Sequence, residues 1–188
     1  MKLHYQGKYD GHKENLPKRE VEGSILIEVN SNKQMEILIK IGVFIALSII
    51  TYLRVRNLYW VDLYYGIIYG LILIVMYPFI REMIYTLFFR EDLYIYTDFV
   101  EEYLFLIGTE SMSKKKYIMM LLIPDLVLGL IPYITGLIIP RLVPLSVLGL
   151  FGLTMGMSDY YNVYNVWKQL PIDACVYMSG MDTYWYIP

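Results

Sequence analysis

Histidine and cysteine are almost missing from this 188-residue chain: it has one cysteine, Cys175, and two histidines, His4 and His12. A single cysteine excludes an internal disulfide, and Cys175 reads as a small buried apolar residue. Both histidines lie in the polar N-terminal stretch. Any metal site further along must therefore use oxygen ligands, with or without Cys175, and a conventional His-rich zinc site is excluded there. For the same reason no Ser-His-Asp or Cys-His set can be assembled. An excess of one charge is also lacking. The formal net charge is −2, which gives no case for nucleic acid. A nucleotide-binding loop, internal repeats and low-complexity segments are absent. Residues 1–35 have no apolar core behind a short basic start, so they are not read as a signal peptide.

What the chain does have is apolar residues in long runs, at 57% of the composition. That points to an all-α polytopic membrane protein rather than a soluble core. A first span is expected at about 36–53, with Lys40 and Arg54 reaching toward the interfaces at its ends. Trp60, Tyr64 and Tyr65 resemble an interfacial aromatic belt. A second span is expected at about 60–80, and its apolar pattern resumes after Arg81-Glu82 and continues to Phe89. A third covers about 117–139, kinked by Pro124, Pro132 and Gly136. A fourth runs from about 142 to 159 and continues as a helix to Gln169, with Gly149, Gly152 and Gly156 permitting close helix contact.

Between the second and third spans the period changes. Leu93-Tyr94-Ile95-Tyr96 and Tyr103-Leu104-Phe105-Leu106-Ile107 read as a β-hairpin around Thr97-Asp98, within about 92–107. Ser111-Met112-Ser113 offers an N-cap before Lys114-Lys115-Lys116. The expected division is a cytoplasmic N-terminal tail (1–35), a four-span membrane domain (36–169) and a cytoplasmic C-terminal tail (170–188). Ser24 to Val29 reads as a short strand in the first tail. The second tail is expected to be extended, lying against the membrane surface or the hairpin. Of the sixteen Lys and Arg, thirteen fall on the side carrying both termini and the hairpin, and three on the other. The positive-inside rule places the former side in the cytoplasm of a multi-pass cell-membrane protein.

The stretch Ile80 to Phe89 carries Arg81-Glu82-Met83-Ile84-Tyr85. This has the layout of the zinc-protease pattern His-Glu-x-x-His with both His positions changed. Two further polar residues stand out at membrane depth. Asp125 follows Pro124, with Arg81 the nearest partner by depth and the backbone groups freed by the proline kink as the other option. Asn162 lies one turn beyond Asp159, with Asn165 a turn further on. The pair reads more readily as facing water than as extending a polar cleft.

The chain resembles the zincin-peptidase family of small membrane proteins from Gram-positive bacteria, themselves similar to site-2-type intramembrane metalloproteases. The resemblance is carried by Leu3-His4-Tyr5-Gln6-Gly7-Lys8-Tyr9 with Leu16-Pro17, and by the 80–89 helix leading into a hairpin. It also includes Met112 to Tyr117, Ser158-Asp159 followed by Asn162, and Ser179 to Tyr186. It implies that Arg81, Glu82 and Tyr85 occupy the His-Glu-x-x-His positions, and that Asp159 occupies the third-ligand position. With both histidines gone, zinc and catalysis are expected to be lost. Arg81 is then expected to bridge Glu82 or Asp159 in the metal's place, with Tyr85 adding a hydroxyl. The expected role is a metalloprotease-like protein of the lipid bilayer that binds a peptide or protein partner at its cytoplasmic face, by strand addition at the hairpin edge. The alternatives are an active, non-standard metallopeptidase, and an accessory or immunity-type subunit of a membrane complex.

Overall fold

A computed structural model describes residues 3–27, 33–97 and 105–188. The described elements are β1 (Leu3–Lys8), β2 (Ile25–Leu26), α1 (Lys33–Val55), α2 (Trp60–Thr86), β3 (Leu93–Thr97), β4 (Phe105–Ile107), β5 (Met112–Ser113), α3 (Lys114–Asp125), α4 (Ile131–Ile138), α5 (Val143–Met155), α6 (Met157–Gln169), β6 (Cys175–Ser179) and β7 (Asp182–Tyr186). Their contacts cluster in two compact units built from separated stretches: 30–81 with 122–161, and 1–29 with 82–121 and 162–188.

Three helical stretches are long and apolar enough to cross a membrane: Lys33–Val55, Trp60–Thr86 and Lys114–Ile138. The protein is thus rich in membrane-type helices. Backbone polar groups have no water to bond in hydrocarbon, so an apolar run of this length closes its hydrogen bonds internally as helix. The expected fourth span is not one helix of that length. Its apolar part is the 13-residue α5, about 20 Å long at roughly 1.5 Å per residue. Gly156 separates it from the more polar α6.

In the first unit, α5 packs on α4 and the stretch just before it through its glycines. A Cβ on Gly149 would lie 2.3 Å from the Tyr133 backbone nitrogen, and one on Gly152 would lie 2.8 Å from the Leu128 carbonyl oxygen. The expected close approach is therefore present. Gly66 and Gly70 of α2 play the same part against Val143 and Val147. The third apolar stretch is interrupted as expected, in a particular way. After Pro124 a π-helical segment, Leu126–Leu130, replaces the α pattern. Regular bonding resumes in α4, whose first turn holds Pro132, a residue that gives no N–H to the turn before it.

Lys40 and Arg54 of α1 also have partners within the protein. Lys40 binds Glu36 at 2.9 Å and Ser158 Oγ at 2.8 Å. Arg54 donates from Nε and Nη2 to the Leu137 carbonyl at 2.9 and 2.7 Å. A carbonyl at a helix end lacks an intrahelical donor, and Arg54 supplies one to Leu137. Trp60, Tyr64 and Tyr65 are exposed, as an aromatic belt requires.

The second unit holds two small sheets, in the orders β1-β3-β4 and β2-β7-β6-β5. The expected hairpin is present: β3 and β4 pair antiparallel, Ile95 opposite Leu106. Its turn from Asp98 onward and the expected strand residues Tyr103 and Leu104 lie outside the described residues, as do Glu28 and Val29. The N-terminal stretch is more than a tail. β1 pairs parallel with β3, with an irregularity between Tyr5 and Gly7 where Gly7 adopts a positive φ of 86°. The C-terminal stretch is also corrected. It is a paired hairpin rather than a single extended strand: β6 and β7 pair with each other through a two-residue turn at Gly180, and add β5 and β2 on either side. Leu93, Val166, Ala174 and Val176 are sealed in the core of this unit.

The lysine triplet divides its work here. Lys114 Nζ donates to the carbonyls of Trp167 and Leu170 at 3.1 and 2.6 Å, satisfying the end of α6. Lys116 binds Glu110 at 3.0 Å. Ser113 Oγ accepts from the Lys116 backbone N–H at 3.4 Å, the cap its sequence position suggests.

Candidate functional site

The helical unit brings Arg81, near the end of α2, to Asp159, in the first turn of α6. The guanidinium Nη2 donates to the Asp159 carboxylate. Asp159 is 6% exposed and the Arg81 side chain 25%. A buried carboxylate is costly without a cation, and Arg81 supplies one. Asp125 and Tyr77 belong to the same unit and lie within electrostatic reach of the pair.

Asp125 is within electrostatic reach of Arg81, the partner expected by depth, but is not hydrogen-bonded to it. It is 1% exposed, and neither carboxyl oxygen hydrogen-bonds to a described residue. It therefore makes no hydrogen bond to Arg81 or to backbone groups freed by Pro124. Gly156 makes room for it: a Cβ there would lie 2.4 Å from the Asp125 Cγ.

In the strand-bearing unit, Glu82 and Tyr85 line a cavity of about 420 Å³. Asn162 joins them from α6, β4 contributes Phe105 to Ile107, and Gly180 and Met181 come from the β6–β7 turn. β4 is an edge strand among the described residues. A second cavity of about 420 Å³ lies along α6 and is lined by Asn162 and Asn165. Asn165 is only 7% exposed, and its Nδ2 has no hydrogen-bond partner among the described residues. Asn165 is thus covered rather than facing water, and Asn162 is half-buried beside it. Sequence periodicity placed Asn162 and Asn165 on one side of a helix but carried no sign that strands would cover that side.

The donor set is a poor match for zinc. Arg81 carries a permanent positive charge and offers no lone pair, and Asp159 is already bound to it. Among the described residues no three His, Cys, Asp or Glu side chains come together as metal ligands. No family model, curated protein or solved structure matches the chain.

Proposed function

We propose that this chain is a multi-pass membrane protein of protease-like build that holds an extended segment of a partner protein and does not hydrolyse it. The observation that carries this reading is the cavity beside β4, where an edge strand borders a largely apolar hollow. Edge strands have unpaired N–H and C=O groups that an extended chain can satisfy. The guanidinium of Arg81 on Asp159 supports the loss of hydrolysis, since a fixed cation there repels a divalent ion. In this reading α5 and the start of α6 together make a fourth crossing. Both termini and the strand-bearing unit face the cytoplasm, following the distribution of Lys and Arg.

The test uses the full chain purified in mild detergent without chelators. Zinc content should fall well below one ion per chain. A fluorescein-labelled extended peptide, Leu-Thr-Leu-Lys-Leu-Thr-Leu amide, should bind saturably by anisotropy and emerge uncut. Met181→Trp fills the hollow from a residue that is 40% exposed and should block binding. Near-stoichiometric zinc together with cleavage of the peptide would establish a working metallopeptidase instead.

A further inference from the structure

We infer that the outer face of the last turns of α6, with the connection that follows it, is an anchor for anionic lipid. Tyr164, Trp167 and Ile172 enter the headgroup layer, and Lys115 and Lys168 meet lipid phosphates there. This rests on the membrane placement proposed above and is independent of peptide binding.

The first observation is Ile172. The Ala174 backbone N–H donates to the Pro171 carbonyl at 3.3 Å, which closes a turn with Ile172 and Asp173 at its corners. Turn corners usually carry Gly, Pro, Asn, Asp or Ser. Here one corner is an isoleucine that is 89% exposed, the most exposed large apolar side chain among the described residues.

Ile172 has company on α6. The helix turns Val166 into the core, and Leu170 just beyond it is buried as well. On the opposite face lie residues 164, 167 and 168, which helical spacing brings together. Trp167 is 68% exposed, and Tyr164 is exposed beside it. The Lys168 ammonium stands 5.9 Å from the centre of the Tyr164 ring. A helix face turned to water carries charged and polar residues. Trp and Tyr rings next to lysine are the composition of a membrane–water boundary.

The depth of this face follows from Lys114. That residue opens the third apolar stretch, Lys114–Ile138, which has 25 residues. At roughly 1.5 Å per residue the stretch is about 37 Å long, against about 30 Å of hydrocarbon, so its first turn stands in the headgroup layer. The Lys114 Nζ donates to the carbonyls of Trp167 and Leu170, and its backbone N–H donates to the Ala174 carbonyl at 3.0 Å. The end of α6 and the turn at Ile172 are therefore within one lysine side chain of that layer. Lys115 is exposed next to Lys114, and Lys168 is exposed on α6. The connection 171–174 holds a single acid, Asp173. Lysines so placed are drawn to the negative surface of a cytoplasmic leaflet.

The experiment reconstitutes the full chain into liposomes of phosphatidylcholine, with and without phosphatidylglycerol. With Cys175→Ser as background, a bimane label is attached through Ile172→Cys or, for reference, through Glu22→Cys. Glu22 is exposed and precedes β2, at the edge of the four-stranded sheet opposite β5. A lipid with a nitroxide near its headgroup and iodide in the water report the depth of each label, and flotation reports insertion of the chain. The lipid should quench the label at position 172 about threefold more than the label at position 22, and iodide should show the reverse order. Phosphatidylglycerol should raise lipid quenching at position 172 about twofold, and Lys115→Gln with Lys168→Gln should abolish that rise. A chain that does not float with the liposomes sinks the membrane placement and this inference together. A chain that floats overturns the inference alone if the label at position 172 is as open to iodide as the label at position 22, or if phosphatidylglycerol changes nothing there.

Discussion

At the scale of single residues, the Arg81–Asp159 contact joins a buried carboxylate to a partly buried guanidinium. Breaking a buried pair leaves an uncompensated charge, which typically costs about 3–5 kcal/mol. Arg81 is partly exposed, so Arg81→Ala is expected near the lower end, at about 3 kcal/mol. Arg81→Ala with Asp159→Asn should lose clearly less than the sum of the single variants, because the second change removes the orphaned charge. Thermal melts of the four proteins in detergent check this, and additive losses would exclude the pairing. Glu110 gives a pH-dependent counterpart. Burial alone would raise its carboxyl, but N–H groups of Arg90 and Glu91 and the Lys116 ammonium hold it below its ordinary value of 4.5. A lowered carboxyl contributes stability above its unfolded value and loses it as pH falls through the folded one. Wild type should therefore out-melt Glu110→Gln at pH 7, and the gap should narrow as pH falls below the ordinary value and through the lowered folded one. The Arg81-Glu82-x-x-Tyr85 pattern was legible in the sequence, and so was Asp159 as a candidate partner. Which carboxylate Arg81 would hold was not: Glu82 and Asp159 were equal candidates until α6 was placed.

At the scale of elements, close helix packing depends on positions that tolerate no side chain. Gly149→Ala meets the Tyr133 backbone, which cannot swing aside, so a loss of about 3 kcal/mol is expected, the upper end for overpacking. Gly42→Ala on α1 meets nothing within 4 Å and should be neutral or stabilise by up to about 1 kcal/mol through helix propensity. Melting temperatures of the two variants should move in opposite directions. The glycines of α5 were readable as a packing stripe because helical spacing is a local property. The partners of β1 and of the β6–β7 hairpin were not readable. β1 pairs with a strand about 90 residues away, Leu3 with Leu93, and nothing in either hexapeptide-length stretch names the other.

At the scale of the whole molecule, orientation is the testable consequence of charge placement. With Cys175→Ser as background, Asn57→Cys in the short α1–α2 connection should react with a membrane-impermeant maleimide in intact cells. Asp173→Cys should react only after the cells are opened. The reverse pattern would invert the proposed topology.

The sequence by itself determined the long apolar helices, the hairpin after α2, the cap at Ser113 and the poverty of metal ligands. Each is a sum over neighbouring residues or a simple inventory, so local chemistry suffices. Only the tertiary structure decided that Arg81 meets Asp159 across 78 positions, that Asp125 is sealed without a hydrogen bond among the described residues, and that Asn165 is buried beside a cavity. Burial and pairing depend on what other elements bring to a residue, and that is fixed only when the elements pack.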